Sequence, residues 1–66
     1  MEYTLNIKGF FDKDNSVEEV ATEKYQDLGE AIKESRMAFD FCCENYDRLR
    51  CTITDQDGKV RYCEHN

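Results

Sequence analysis

Proline and tryptophan are absent from this chain, glycine occurs three times and histidine once. No glycine-rich loop is present to cradle a phosphate. One imidazole near the end of the chain gives a nucleophile no base and no orienting partner, so the composition does not support catalysis. No apolar run approaches the ~18 residues of a membrane helix. Met1 is followed by polar and apolar residues in alternation, without a basic segment leading into an apolar stretch, so no secretory leader is expected. Cations are scarce too: nine Lys and Arg stand against fifteen Asp and Glu, a formal charge of −6. Direct binding to nucleic acid needs clustered Lys and Arg and is not expected, nor is a membrane partner. A cytoplasmic setting with reduced thiols is the simplest reading.

At roughly 100–200 residues per ordinary domain, 66 residues make a single small acidic domain, 1–66, without an interdomain cleft. High charge also suits disorder, but 39% hydrophobic residues set at regular spacing favour a folded chain. A domain this short buries only about 60% of the surface its unfolded form exposes, so association with another chain would help hold it together.

Tyr3, Leu5 and Ile7 alternate with Thr4, Asn6 and Lys8, the pattern of a half-buried strand over residues 2–8. Gly9 and the Phe10-Phe11 pair close that pattern, and residues 12–16 form a turn cluster. Residues 17–25 read two ways. Ser16 and Glu19 make a capping box ahead of helically spaced Val17, Val20, Ala21, Lys24 and Tyr25. The same segment suits the return strand of a hairpin, which is preferred because a helix from Val17 would run past Gly29 without a stop signal. From Leu28 to about Asp47 the residues Leu28, Ala31, Ile32, Ser35, Ala38, Phe39, Cys42 and Tyr46 fall in one helical stripe, with Gln26 or Asp27 as cap. Leu49, Cys51 and Ile53, then Val60 and Tyr62, alternate around the turn 55–58 and predict a second hairpin. The expected fold is α+β, a ββαββ (or βααββ) chain with one long amphipathic helix packed on one face of a small antiparallel sheet.

Four cysteines and His65 call for a test of metal and disulfide. Neighbouring Cys42 and Cys43 point about 100° apart on a helix and do not easily share a tetrahedral site. Cys51 and Cys63 share a face only if a bulge at Gly58 shifts the hairpin register; otherwise Cys51 points inward and Cys63 outward. Free thiols are the preferred reading, with a zinc module of Cys51, Cys63 and His65 as an alternative. Asp12, Asp14, Ser16, Glu18 and Glu23 superficially follow calcium-loop spacing, but Val17 stands where the sharp turn needs glycine. No metal or cofactor is expected.

Two surface features remain. Residues 12–34 carry eight acids (Asp12, Asp14, Glu18, Glu19, Glu23, Asp27, Glu30 and Glu34) against three lysines, which is −5 of the total −6. Such a field attracts basic protein surfaces, including those that hold nucleic acid, although it also serves plain solubility. Arg50, Lys59 and Arg61 are expected together on the outer face of the last hairpin. Met37 and Phe41, one helical turn apart on the wet side of the helix, are candidates for a dimer or partner contact.

A short, proline-free, acidic, cytoplasmic domain without a catalytic constellation resembles in profile the small phage-encoded inhibitors, such as anti-CRISPR and other anti-defence proteins. That resemblance implies a non-enzymatic module that blocks a basic surface of a protein target, nucleic-acid-binding surfaces included. The alternatives are an accessory domain that oligomerises, for example as a homodimer, and the Cys/His zinc module.

Overall fold

The computed structural model describes residues 1–42 and 45–65, and of residues 41 and 42 the backbone alone. Strand β1 (Tyr3–Phe11) turns into β2 (Ser16–Tyr25), helix α1 (Leu28–Cys42) follows, and β3 (Arg48–Asp55) and β4 (Val60–His65) complete the chain. All pairings are antiparallel and the order across the sheet is β2-β1-β3-β4. The α+β class follows directly, with one helix of fifteen residues. No helix among the described residues is long and apolar enough to cross a membrane.

The strand alternation sets the core. Tyr3, Leu5 and Ile7 of β1 and Leu49, Cys51 and Ile53 of β3 point to the same face, because the register pairs Leu5 with Ile53 and Ile7 with Cys51. Against them lies the helix, whose closest residues, Ala31 and Ser35, have no solvent exposure. Small side chains one turn apart let the helix approach the sheet closely. The polar atoms this buries are satisfied: Ser35 Oγ donates to the Ile32 carbonyl at 2.7 Å, and Cys51 Sγ donates to the Ser35 carbonyl at 3.8 Å. Leu28, Ile32, Ala38 and Phe39 pack around this centre, as the helical stripe predicts. Asp27 caps the helix, its Oδ1 accepting from the Gly29 amide at 3.3 Å, and Glu30 sits in the first turn, where a negative charge favours the helix dipole.

Residues 17–25 form the return strand of the hairpin, the preferred of the two readings: β2 runs antiparallel to β1 with Tyr25 opposite Tyr3. A register shift between Ile7 and Lys8 jumps the pairing from Ala21 to Glu19 and leaves Val20 unpaired as a bulge. Val20 and Ala21 both pack against the core. Strand β1 does not close at Lys8 but continues to Phe11, with Gly9 inside it. The helix ends at Cys42 and not near Asp47. Tyr46 lies beyond it, in the connection, with its ring over the backbone of Gly9 and 5.2 Å from the ring of Phe11. The Asp47 amide donates to the Phe10 carbonyl at 3.0 Å, and the Asp47 carboxylate accepts from the Asp12 amide at 2.7 Å. These bonds tie the helix–β3 connection to the end of β1 and stop the helix short.

The last correction concerns the second hairpin. A shift between Ile53 and Thr54 pairs Ile53 with Tyr62 but Thr54 with Val60. Val60 is therefore 55% exposed and does not join Tyr62 against the core. Arg61, the residue in excess, lies 3.6 Å from the carboxylate of Asp55, so it does not stand free beside Arg50 and Lys59. Asp55 organises the turn. Its Oδ1 accepts from the amides of Asp57 and Lys59, both at 3.0 Å, and Gly58 takes a φ of 84°, the left-handed conformation that suits glycine. These backbone bonds, with the Arg61 charge, hold the Asp55 carboxyl below its ordinary pKa.

Candidate functional site

The sheet order makes β2 an edge strand, and the helix lies over β1 and β3 without covering β2 completely. A groove of about 250 Å³ runs between them. Leu5 and Ile7 of β1 and Val20 and Ala21 of β2 line it on the sheet side, with Ala38 on the helix side. Glu23 and Tyr25 from the strand and Glu34 and Met37 from the helix complete its lining. On the strand, Glu23 and Tyr25 share a face by two-residue alternation. On the helix, Glu34 and Met37 lie three residues apart, on the flank next to the buried face.

The electrostatics follow from that geometry. Tyr25 donates its hydroxyl proton to Glu23 Oε2 at 2.8 Å. Its pKa is pushed up to about 12, first by burial, then by the Glu23 hydrogen bond and the negative charges of Glu23, Glu34 and Glu30. Three carboxylates thus bear on one phenol beside an apolar floor. Met37, 42% exposed, adds a flexible apolar contact at the rim. The arrangement suits the long aliphatic stem and cationic head of a Lys or Arg side chain.

The remaining acids of residues 12–34 lie elsewhere. Asp12 pairs with Arg48, and Asp14 accepts from the Ser16 amide at 3.1 Å within the β1–β2 turn. Asp27 caps the helix. Glu19 lies on the opposite face of the sheet, bonded to Asn6 and 3.3 Å from the Thr22 hydroxyl. Glu18 is exposed on β2. The structure therefore brings Glu23, Glu34 and Met37 together with Glu30 close by, and separates them from Asp12, Asp14, Glu19 and Asp27. The Phe41 side chain lies outside the described residues.

No family model matches this chain, and no curated protein or solved structure is similar to it.

Other candidate chemistry does not assemble. Cys51 pairs with Glu64 and faces the helix, whereas Cys63 pairs with Thr52 and His65 with Arg50 on the outer face. Cys51 therefore cannot meet Cys63 in a disulfide or join Cys63 and His65 around one ion, and no cluster of metal-binding side chains occurs among the described residues. Cys42 and Cys43 fall outside the described side chains. Of that spacing only Asp12 and Asp14 lie in the hairpin turn; Ser16, Glu18 and Glu23 are carried away along β2. On the outer face, Lys8, Arg50 and His65 stand in one row across three strands, and the Arg50 guanidinium lies 5.2 Å from the centre of the Phe10 ring. This row gives the molecule a basic side opposite its acidic groove.

Sequence reasoning missed Tyr25 as part of the site, together with the floor formed by Leu5, Ile7, Val20, Ala21 and Ala38. The signal was there in part. Glu23 and Tyr25 alternate as strand neighbours, and Glu30, Glu34 and Met37 share one helical flank.

Proposed function

We propose that this chain is a non-enzymatic, acidic protein-binding module that works as a small inhibitor of the anti-defence type, seating a basic surface of its target on the groove between β2 and α1. The observation that carries this reading is the convergence of Glu23, Glu34 and Met37, from two elements, on one partly apolar groove. Glu30 and Glu18 extend the negative field around it, and the outer charges speed encounter without touching the target. A target surface that normally holds nucleic acid offers the Lys and Arg this groove accepts, with the carboxylates standing where phosphates would. The proposed site of action is the cytoplasm.

The test is the affinity for a lysine-rich peptide at 50 and 300 mM salt, for the wild type, Glu23→Gln/Glu34→Gln and the control Asp12→Asn/Asp14→Asn. Binding should weaken with salt, because ions screen exposed charges. The groove variant should lose at least tenfold and the control less than twofold. Equal affinity at both salts, or equal losses in both variants, rules the groove out.

The half-exposed Met37 also favours a second reading, an accessory domain that self-associates through Met37 and Phe41. Met37→Ser separates the two. A dimer lost with peptide binding intact marks a structural seam, and peptide binding lost without change in mass marks a contact with the target.

A further inference from the structure

We infer that the target enters as a β-strand: a basic extended segment adds to the free edge of β2 and lays its inward side chains across the groove. This inference rests on the proposed binding function and specifies the form of the partner.

Three observations lead to it. First, β2 has a strand neighbour on one side only. Its ten residues, at about 3.3 Å each, offer an edge of roughly 33 Å, nearly the 38 Å length of the molecule. The backbone groups facing away from β1 are donors and acceptors for a further strand. The other edge, β4, has six residues. Second, the groove has the wrong size for a helix, which is about 10 Å across. Its 250 Å³ takes one or two long side chains, as an added strand supplies from alternate positions. Third, the charge selects the partner. Glu23 and Glu34 line the groove, and Glu30 is close enough to act on Tyr25. A strand with Lys or Arg at every second position therefore meets acid along the groove.

The same acids disfavour two symmetric ways of pairing with a second copy of β2. Antiparallel pairing of two β2 edges centred between Val20 and Ala21 sets Glu18 opposite Glu23, twice by symmetry. Parallel pairing in register sets each glutamate against itself. Like charges directly opposite destabilise a pair, so these two registers are disfavoured, whereas a cationic strand is attracted to the same edge.

The experiment compares three peptides of equal charge on the intact chain: an alternating Lys-Val peptide, the same peptide N-methylated at alternate backbone amides on its ladder side, and a helix-forming peptide of Ala, Leu and Lys. Affinity is measured by titration, and amide hydrogen exchange locates the contact. The alternating peptide should bind and slow exchange along β2. N-methylation, which removes ladder donors and leaves the charge, should weaken binding at least tenfold, and the helical peptide should bind at least tenfold more weakly. Equal binding of the methylated or helical peptide overturns strand addition but leaves the acidic groove standing. Protection on β4 in place of β2 also overturns it. If none of the three binds, both the inference and the function beneath it fall.

Discussion

Replacing Gly9 by alanine tests how the end of the helix is fixed. An added Cβ would stand within 2.6 Å of Cδ1, Cε1 and Cγ of the Tyr46 ring. Because Cγ is the root of the ring, rotation cannot clear the clash and the whole ring has to leave Gly9. Gly9 has no positive φ, so the backbone itself accepts alanine, and the residue swap alone favours the strand by roughly 0.5–1 kcal/mol. Overpacking typically costs about 1–3 kcal/mol, which outweighs that gain. The expected net loss is about 1–2 kcal/mol, or a fall in Tm of roughly 4–16 °C for a chain of this size. At about 0.05–0.15 kcal/mol per residue the whole fold holds only about 3–10 kcal/mol, so the loss is readily measured. Urea unfolding followed by far-ultraviolet circular dichroism suits a chain without tryptophan. The decisive comparison repeats the substitution in Tyr46→Ala, where the clash is gone and Gly9→Ala should stabilise by up to ~1 kcal/mol. An equal cost in both backgrounds would falsify the contact.

Acidification should destabilise the second hairpin through Asp55. Its folded pKa is depressed, so the stability it contributes is complete above the unfolded value near 3.8 and is lost as pH falls through the lower folded value. Asp55→Asn should flatten the unfolding midpoint between pH 4 and 2, and an unchanged acid slope refutes the role. Thiol accessibility gives a second check. Cys63 is exposed and Cys51 fully buried, so mass-spectrometric mapping after brief alkylation of the folded chain should find label on Cys63 and on Cys51 only in denaturant. Equal labelling of both in the folded chain contradicts the hairpin register.

What could be read in the sequence was whatever a regular period expresses. The alternation of Tyr3, Leu5 and Ile7 and the helical stripe from Leu28 to Phe39 each describe one element against one core, and both stand in the structure. The ambiguity at 17–25 has a local cause. The bulge at Val20 turns two consecutive residues toward the core, and Val20 and Ala21 side by side, with Tyr25 four beyond Ala21, imitate helical spacing. The shift beside Ile53 likewise carries Val60 and Arg61 away from the places that strict alternation assigns them. Tyr46 fits the helical stripe by number, yet its ring sits on Gly9, a contact between residues far apart in the chain. The groove was legible only as separate halves, an acidic segment and an apolar pair. Joining them required knowing that β2 is the edge strand and which flank of the helix it meets.

The position of β1 between β2 and β3 shapes how the molecule comes into being. Among the described residues the seven buried hydrophobic side chains come from β1, α1 and β3, and none from β2 or β4. A nascent chain can close the first hairpin and lay α1 against it early, but the buried face of the sheet stays incomplete until Leu49, Cys51 and Ile53 have been synthesised. Tyr3, whose partner on β3 is Asp55, gains that neighbour only once β3 has been made. The assembled sheet therefore waits for β3 to leave the ribosome, although its first hairpin does not.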